Sequence, residues 1–553
     1  MIGNWWKEGI VYQVYPRSFM DSNGDGIGDI PGLISKLDYL QNLGVNILWL
    51  NPVYESPNDD NGYDIANYQS IMAEFGTLAD FDELLTQMHQ RGMKLIMDLV
   101  VNHCSDEHPW FQQARQSKDN PYRDYFIWQP EKDGGAPNNW VSVFSGSAWQ
   151  KTEETGEYYL HLFSKKQPDL NWENPKLRQE IFDMMNWWFE KGVDGFRMDV
   201  INMISKVPGY PGVENAEAGE LVWGGQFFMN GPKLHDYLQE LNQKVLSRWD
   251  CMTVGECFDV DIEEGLKLVG EDRNELHMIF QMEHMNLDSG PDGKWQLTNG
   301  WSLVEMKRIL NRWALGLEGK GWNSQFLMNH DQPRALSRFG NDGEFRRPSA
   351  KCLATLTLTL PGTPYIYQGE EIGMTNVAYD IDEYRDLETL NWYEEKLALG
   401  WDKDDLMRSI HAKGRDNSRT PMQWTADIEA GFTQGQPWLK VNPNHKEINA
   451  AAEQEHPDSI FHYYQTLIQL RKDHKDLVYG RFDLLLPDHE QLFCYQRKGK
   501  VGNYLVLLNF SDEEQALPES FDLKGEELIN NLPGQTGFQL LPWQARVLFQ
   551  SWK

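Results

Sequence analysis

Short apolar runs alternate with longer segments of helical spacing in the N-terminal part of the chain. The runs are rich in β-branched and aromatic residues, and they predict strands at Ile10–Tyr15, Val45–Leu50 and Met93–Val100. The longer segments predict helices, among them Pro31–Leu43 and Leu78–Arg91, the second ending at Gly92 as a C-terminal cap. This alternation is typical of βαβ units, whose strands run parallel.

The alternation stops after Asn102 and resumes near Asn174, and the stretch between is rich in Pro, Gly, Asn and aromatic residues. So long an irregular stretch inside a regular fold is usually a functional insertion. Beyond it, further strands are predicted at Val193–Asp199, Thr253–Glu256, Met278–Phe280, Phe326–Asn329 and Pro364–Tyr367. The strand count predicts an α/β protein, a (β/α)8 TIM barrel with its chemistry at the C-terminal ends of the strands.

Near the C-terminus the pattern changes to short strands separated by turns, such as FDLLLP, LFCYQRK, YLVLLNF and QARVLFQ. These segments predict an antiparallel β domain. We therefore predict a catalytic barrel formed by residues 1–103 and 175–477, an inserted irregular subdomain at 104–174 and a C-terminal antiparallel β domain at 478–553. A chain of 553 residues is long enough for more than one core.

Charge and cysteine content narrow the class of partner and the compartment. The formal net charge is −32 and no Lys/Arg block is present, so nucleic acid is excluded as a partner and a neutral or cationic ligand is favoured. The five cysteines are far apart and form no C-x-x-C pair, which indicates reduced, buried thiols. Neither a signal peptide nor a long apolar span is found, so we expect a cytoplasmic protein without a membrane partner.

Four predicted strands end in polar and charged residues where a purely structural strand would continue with apolar ones. A lone Asp after a strand is more often a helix N-cap than a catalytic group. Four such endings at one mouth of a barrel are harder to explain in that way. They are DLVVNHC (98–104), GFRMDV (195–200), TVGEC (253–257) and MNHDQPR (328–334).

Two of these endings supply the pair of carboxyl groups that glycoside hydrolysis needs. Asp199 and Glu256 follow the fourth and fifth predicted strands and are therefore neighbours at the rim. A retaining mechanism places two such groups about 5–5.5 Å apart. Arg197 points to the same face as Asp199 and would keep it ionised, whereas burial would keep Glu256 protonated. His103, His330 and Asp331 would hold sugar hydroxyls.

At these motifs the chain resembles the α-amylase family of glycoside hydrolases, within it the oligo-1,6-glucosidase and dextran glucosidase group. The resemblance extends over essentially the whole chain. Its motifs are DLVVNH (98–103), QPDLNW (167–172), GFRMDV (195–200), VGE (254–256), NHDQPR (329–334), GTPYIYQGEEIGM (362–374) and RDNSRTPMQW (415–424).

The resemblance implies a role for each matching residue. Asp199 is the nucleophile, Glu256 the acid/base, and Asp331 a third carboxylate that binds hydroxyls of the distorted sugar. The resemblance also implies that Tyr63 stacks on the terminal glucose. The remaining pocket positions that match are Asp60, His103, Phe163, Gln167, Arg197, His330 and Arg415. A pocket closed at one end implies exo-action on a small oligosaccharide, and we expect a monomer.

Linkage preference depends mainly on Val200. In the resembling enzymes, Val directly after the nucleophile accompanies α-1,6 specificity, whereas Thr accompanies α-1,4 specificity or sucrose chemistry. A Val here is also compatible with a plain barrel residue of high β propensity. On the first interpretation the chain acts on isomaltose, isomalto-oligosaccharides and panose.

The segment DSNGDGIGDIPG (21–32) has the opening pattern of a calcium loop. Gly32 stands where an EF-hand has its bidentate Glu, so this is not a true EF-hand. An Asp/Gly-rich turn is the alternative interpretation. Spacing and resemblance together predict one structural Ca²⁺ and no organic cofactor, with the ligands Asp21, Asn23, Asp25, Ile27 and Asp29.

Several other functions stay open on the same scaffold: α-1,4-specific glucosidase, trehalose-6-phosphate hydrolase and sucrose isomerase. Sucrose-converting sequences carry RLDRD where this chain has HAKGRD (411–416). Trehalose-6-phosphate hydrolases normally lack the full calcium loop and have Leu where this chain has Met198. A non-catalytic barrel subunit is a further alternative, because fold alone does not fix function. Such subunits lose the carboxylates that this chain keeps.

Overall fold

Eight short parallel strands form one sheet that curves into a nearly closed barrel. In chain order they are β1 Val11–Val14, β2 Ile47–Leu50, β3 Lys94–Leu99, β4 Gly195–Met198, β5 Met252–Cys257, β6 Met278–Gln281, β7 Ser324–Gln325 and β8 Thr363–Tyr367. Their order in the sheet is β6-β5-β4-β3-β2-β1-β8-β7. The predicted barrel is confirmed, with β3, β4 and β5 as direct neighbours.

The computed structural model describes residues 4–552 except 215, 218, 292, 535 and 536. Small parts of the predicted barrel and C-terminal domain therefore lie outside the described residues. The domain boundaries themselves stay predictions. In the described part of the chain, no helix combines the length and the apolar character that a membrane crossing requires.

The barrel closes between β6 and β7 through side chains. The Ser324 hydroxyl donates to the Ile279 carbonyl at 2.8 Å, and a ring nitrogen of His284 lies 2.8 Å from the Phe326 carbonyl oxygen. The predicted seventh strand at Phe326–Asn329 is wrong, because the backbone leaves the sheet after only two residues, at Gln325. The residues beyond it form the rim segment that holds Asp331.

Helices pack around the sheet, and their ends follow local sequence signals. Thr77 and Asp80 form a capping box at the start of Leu78–Gln90, and Gly92 takes a positive φ of 70° just after it. The predicted helix Pro31–Leu43 is instead two helices that meet at Lys36. The α-helices are Ile30–Ser35, Leu37–Leu43, Leu78–Gln90, Pro109–Ala114, Pro175–Lys191, Gly225–Phe228, Leu234–Lys244, Ile262–Val269, Leu303–Leu317, Ala335–Phe339, Arg346–Thr359, Leu387–Ala398, Lys403–Lys413, Asp416–Arg419, Ala450–Glu455, Ile460–Asp473 and Asp476–Tyr479.

The insertion after β3 is more regular than its sequence suggests. It contains the helix Pro109–Ala114 and a three-stranded antiparallel sheet. The strands of that sheet are Trp128–Gln129, Trp149–Lys151 and Tyr158–Leu160. Buried Trp140 and Leu160 share one apolar cluster with Val200, so the insertion packs against the loop after β4.

A five-stranded antiparallel sheet follows the barrel at the C-terminus, as predicted. Its strands in chain order are Arg481–Leu485, Leu492–Lys498, Gly502–Asn509, Glu526–Asn530 and Ala545–Ser551. Arg497 is fully buried and donates to the carbonyl oxygens of Thr359 and Leu477, at 2.6 and 2.7 Å. This arginine therefore fixes the sheet to the helical layer of the barrel.

Candidate active site

Three adjacent strands bring an arginine and three carboxyl groups together at the barrel mouth. Arg197 on β4 is fully buried, and its neighbour in register on β3 is Asp98. Nη1 of Arg197 lies 2.6 Å from Oδ1 of Asp98 and 2.6 Å from Oδ1 of Asp199. Nη2 of Arg197 lies 2.7 Å from Oε2 of Glu256 on β5. One guanidinium thus bridges the two carboxyl groups that the sequence singled out.

Burial and the shared guanidinium together set the protonation of Asp199 and Glu256. Burial raises the pKa of Glu256 to about 8, and the charge of Arg197 opposes this shift only in part. Burial likewise raises the pKa of Asp199 to about 7, so desolvation outweighs the stabilisation that Arg197 was expected to give the ionised form. Because neighbouring carboxyl groups titrate together, the pair retains a proton near neutral pH, held more tightly by Glu256.

Asp331 lies in a different electrostatic environment. Its Oδ1 is 2.7 Å from Nη2 of Arg419 and 3.2 Å from Nη1 of Arg415, and its Oδ2 is 3.0 Å from Nε2 of His330. Burial alone would raise the pKa of Asp331, but the neighbouring basic side chains hold it well below its usual range. Asp331 is therefore permanently ionised.

A hydrogen-bonded group of side chains forms the inner end of the pocket. The Gln167 amide donates to Oδ2 of Asp60 at 3.1 Å and lies 3.3 Å from Nε2 of His103. Nη2 of Arg415 lies 3.1 Å from Oδ1 of Asp60 and joins two rim segments that are distant in sequence. Phe163 packs on His103 with ring centroids 5.0 Å apart.

Tyr63 lies flat against His330, with ring centroids 5.2 Å apart and an angle of 8° between the planes. Its hydroxyl accepts a hydrogen bond from the Asn51 amide at 2.6 Å and donates to Oδ2 of Asp98 at 3.2 Å. These contacts fix the ring orientation, which suits a stacking surface for a sugar.

The predicted residues divide into a lining layer and a supporting layer around one cavity of about 1110 Å³. Gln167, Arg197 and His330 are fully buried and contact the lining residues from behind. The predicted residues that line the cavity are Asp60, Tyr63, His103, Phe163, Asp199, Val200, Glu256, Asp331 and Arg415. A cavity of this size accommodates a small oligosaccharide.

Val200 is held in an unusual backbone conformation. Its φ of 35° and ψ of 41° lie in the left-handed region, which a β-branched residue adopts only under strain. Its backbone N–H donates to Oε2 of Glu256 at 3.3 Å. The same residue therefore lines the pocket and contacts the carboxyl group of the paired acid.

The chain matches one family of known proteins over most of its length. The family described as alpha amylase, catalytic domain, matches residues 13–480. The chain belongs to the alpha-amylase family of glycoside hydrolases. An oligo-1,6-glucosidase of Parageobacillus thermoglucosidasius is 58% identical, over 98% of this chain and 98% of that protein.

Solved structures agree with the family assignment. Trehalose-6-phosphate hydrolase of Bacillus licheniformis has a TM-score of 0.93 at 45% identity, covering 99% of this chain and 100% of that one. Isomaltulose synthase of Erwinia rhapontici NX5 has a TM-score of 0.95 at 44% identity, covering 99% of each chain. Proteins with different names therefore share this fold.

Sequence reasoning missed three charged residues that hold the site together. Asp98 opens the motif DLVVNH, and Arg419 lies in RDNSRTPMQW, so both motifs contained the signal. Asp386 lies outside the motifs, is fully buried, and places its Oδ1 2.6 Å from Nη2 of Arg415. The local sequence around Asp386 indicates the N-cap of the helix Leu387–Ala398, and Asp386 also has that role.

The predicted calcium loop lies after β1, outside the pocket. The Asp21 carboxylate accepts hydrogen bonds from the backbone N–H groups of Gly24 and Gly26, both at 2.8 Å. Oδ1 of Asp29 accepts from the backbone N–H of Gly32 at 2.6 Å and caps the following helix. Among the described residues, no group of three or more His, Cys, Asp or Glu side chains is arranged to hold a metal ion.

Proposed function

We propose that this chain is a retaining, exo-acting α-glucosidase that releases terminal α-1,6-linked glucose from isomaltose, isomalto-oligosaccharides and panose. The observation that carries the proposal is the pairing of Asp199 and Glu256 on Arg197, within a chain 58% identical to an oligo-1,6-glucosidase. Two carboxyl groups on one guanidinium match the requirement for a nucleophile and an acid/base.

The reaction then proceeds in two steps. In the first, a carboxylate oxygen of Asp199 bonds to the anomeric carbon while Glu256 donates its proton to the departing glycosidic oxygen. In the second, Glu256 takes a proton from water, and the hydroxide oxygen displaces Asp199 to release glucose with retained configuration. The higher pKa of Glu256 supports this division of roles, because the acid must be protonated when the substrate binds.

The remaining pocket residues support binding of a chain end. The ion pair between Asp60 and Arg415 closes the inner end of the cavity. A cavity closed at one end favours binding of a terminal glucose over an internal one. Permanently charged Asp331 is suited to accept hydrogen bonds from sugar hydroxyls and to stabilise positive charge as it develops on the ring.

Azide rescue separates the two proposed roles. Asp199→Ala with an activated α-glucoside and azide should give β-glucosyl azide, because azide attacks directly from the free face. Glu256→Ala should give α-glucosyl azide, because azide then attacks a covalent glucosyl-enzyme. The same anomer from both variants would contradict the assignment.

Phosphorylated substrates are disfavoured by the charges at the pocket rim. Lys294 and Arg338 line the cavity, and each lies 2.5 Å from a carboxylate oxygen, of Glu388 and Asp288 respectively. Arg338 shares Asp288 with Lys413, but the cavity lining as a whole carries more carboxyl groups than cationic side chains, so a phosphate would meet an excess of negative charge. We therefore favour neutral isomaltose over trehalose 6-phosphate.

Glucose release from isomaltose, maltose, trehalose 6-phosphate and sucrose by the purified protein tests this preference. A high ratio of isomaltose to maltose cleavage supports the proposal. Faster cleavage of trehalose 6-phosphate or maltose would leave the carboxyl pair standing and overturn the substrate assignment.

We also propose that the loop after β1 binds one Ca²⁺ as a structural ion. The donors are hard oxygen atoms, which calcium prefers, and the Asp25 side chain is exposed and available. The ligands are the side chains of Asp21, Asn23, Asp25 and Asp29 with the Ile27 carbonyl oxygen. A chelator should then lower the melting temperature, since an ion at a hundred times its Kd adds about 2.7 kcal/mol. An unchanged melting temperature, or a shift that persists undiminished in Asp25→Ala, would contradict the site.

The proposal includes action in the cytoplasm as a monomer. All five cysteines are buried free thiols, which supports a reducing compartment. Light scattering coupled to size exclusion should give the mass of one chain, 64.4 kDa. A measured mass of twice that value would overturn the proposed monomeric state.

A further inference from the structure

A second cavity of about 720 Å³ lies beside the barrel, bordered by the strand Asn67–Ile71 and the helices Pro109–Ala114 and Pro175–Lys191. Within the described part of the chain, its lining shares no residue with that of the active-site cavity. Its volume is within the range of small-ligand sites. The proposed reaction gives this cavity no role.

Two half-buried indole rings, those of Trp110 and Trp187, are among the apolar groups that line this cavity. Trp110 is supported by His108 and Tyr125, with ring centroids 4.3 and 5.4 Å away. Trp187 packs edge-on against buried Trp188 at 4.7 Å. Neither indole N–H has a hydrogen-bond partner among the described residues. The rings are therefore fixed in place, which limits the entropy lost on binding. Each indole N–H also remains free to donate to a ligand.

Hydrogen-bonding side chains surround the two rings. Amides and carboxylates together supply donors and acceptors at several points around a flat apolar surface. This combination matches a sugar, whose C–H face stacks on an aromatic ring while its hydroxyls donate and accept at the edge. The side chains include Gln69, Glu180, Asp183 and Glu190, whereas the amides of Asn67 and Asn186 already donate to Glu55 and to the Phe182 carbonyl oxygen.

Charge argues against an ionic ligand in the cavity. Three carboxylates and a single guanidinium, that of Arg248, line it, so an anion is repelled. A cation is disfavoured at Trp187, because the ammonium of Lys191 already lies 5.3 Å from that ring centroid. A neutral polyhydroxylated ligand meets neither obstacle.

We infer that this cavity is a second binding site for glucan chains, separate from the catalytic pocket. The choice of an α-1,6 glucan as ligand rests on the proposed function. A cavity that is open at the surface binds an internal stretch of a chain, whereas the walled pocket takes only a chain end. The second site would hold a long substrate close to the enzyme between cleavages.

Electrophoresis through native gels with and without high-molecular-weight dextran tests the inference. The full-length Glu256→Gln protein is used as the parent so that chain ends are not consumed. Dextran has few ends for its mass, so retardation reports on internal binding. Trp110→Ala and Trp187→Ala are compared in this background with Trp401→Ala, which removes an exposed indole elsewhere.

We expect dextran to retard the parent and the Trp401→Ala variant equally. Each cavity variant should bind about two- to tenfold more weakly, the loss of one aromatic contact. Made without the Glu256→Gln change, the same cavity variants should hydrolyse isomaltose at the rate of the unsubstituted enzyme, which shows that they are folded. Absence of retardation in the parent by dextran and by soluble starch, or equal retardation of all variants, would overturn the inference. Retardation by starch alone would support the site but contradict an α-1,6 glucan as its ligand. The α-1,6 preference of the catalytic pocket is tested separately, by isomaltose hydrolysis.

Discussion

Two clusters of ion pairs meet at the pocket, and they differ in their balance of charge. The Arg197 cluster has one guanidinium for three carboxyl groups, those of Asp98, Asp199 and Glu256. Burial raises the pKa of all three, to about 6, 7 and 8 respectively. One positive charge cannot keep three buried carboxyl groups ionised, so this cluster keeps an exchangeable proton.

The second cluster, here called the double-arginine cluster, has two guanidiniums for three aspartates, and Glu388 is a further partner of Arg415 at 3.4 Å. It consists of Arg415, Arg419, Asp60, Asp331 and Asp386. The pKa values of Asp331 and Asp386 are held well below their usual range despite burial, although burial raises that of Asp60 to about 6. Asp331 and Asp386 each contact both arginines, whereas Asp60 contacts Arg415, so contact with a second arginine accompanies a fixed negative charge. One cluster is suited to chemistry, the other to binding.

The largest effect is expected from removing the exchangeable proton. Glu256→Gln should lower kcat/KM for isomaltose about 10²- to 10⁴-fold, the usual contribution of a general acid. An aryl glucoside with a good leaving group should lose less, because it needs little protonation. Steady-state kinetics on both substrates checks this. Equal losses on the two would contradict the acid role.

The same variant should melt at a higher temperature than the parent. A carboxyl group whose pKa is raised in the folded state binds a proton more tightly there than in the unfolded chain. Such a group therefore lowers the free energy of unfolding at every pH above its pKa in the unfolded chain. For Glu256 this cost increases up to about pH 8. Gln removes that cost. A lower melting temperature of the variant at pH 8 would contradict this, because it would show that the contacts of Glu256 stabilise the folded state by more than its raised pKa costs.

The next effect concerns the charge balance of the double-arginine cluster. Asp386→Asn keeps the helix cap but leaves Arg415 and Arg419 with one carboxylate fewer, in a buried setting. Breaking a buried ion pair costs about 3–5 kcal/mol, so thermal unfolding should show a clear loss of stability. Asp382→Asn, at an exposed position just before it, is the matched control. Equal melting temperatures for the two variants would contradict the role assigned to Asp386.

The dependence of the rate on pH provides a smaller test. The rate should fall at high pH as Glu256 loses its proton near pH 8, about tenfold per further unit, and at low pH as Asp199 gains one. Asp331→Asn should lower the whole profile and move both limbs to lower pH, because the fixed negative charge of Asp331 raises the pKa of Asp199 and of Glu256. Limbs that stay in place in that variant would contradict an electrostatic influence of Asp331 on the pair.

Much of this arrangement was predictable because its signals are local. Each barrel strand but the seventh is a run of at least four residues that are nearly all buried, and the motifs at their ends place Asp199 and Glu256 at neighbouring strands. The seventh strand was misplaced because it pairs over only two residues and closes through Ser324. The sheet of the insertion was missed because an aromatic cluster around Trp140 fixes its short strands, with no alternating pattern.

Charge balance was the least predictable property. Asp386 and Arg415 are neighbours only in space, and the residues around Asp386 carry the ordinary pattern of a helix start. Arg197 was correctly placed beside Asp199, but its effect on that pKa depends on burial and on Asp98, which no local pattern measures. Pairwise reasoning from a sequence identifies the partners of a charge and misses the ratio of charges in the cluster.

The smallest expected effect lies at Val200, between the chemistry and the specificity of the pocket. Val200→Thr keeps a β-branched side chain, so the backbone strain at φ 35° and the N–H contact to Glu256 should persist. The change adds one hydroxyl to the lining, and a single hydrogen bond is worth about 0.5–1.5 kcal/mol, or about two- to tenfold. We expect the ratio of maltose to isomaltose cleavage to rise by that factor. Val200→Ala is the control, because it opens space without adding a polar group. An unchanged ratio in Val200→Thr, or the same rise in Val200→Ala, would assign linkage preference to the rim of the pocket instead of to this residue.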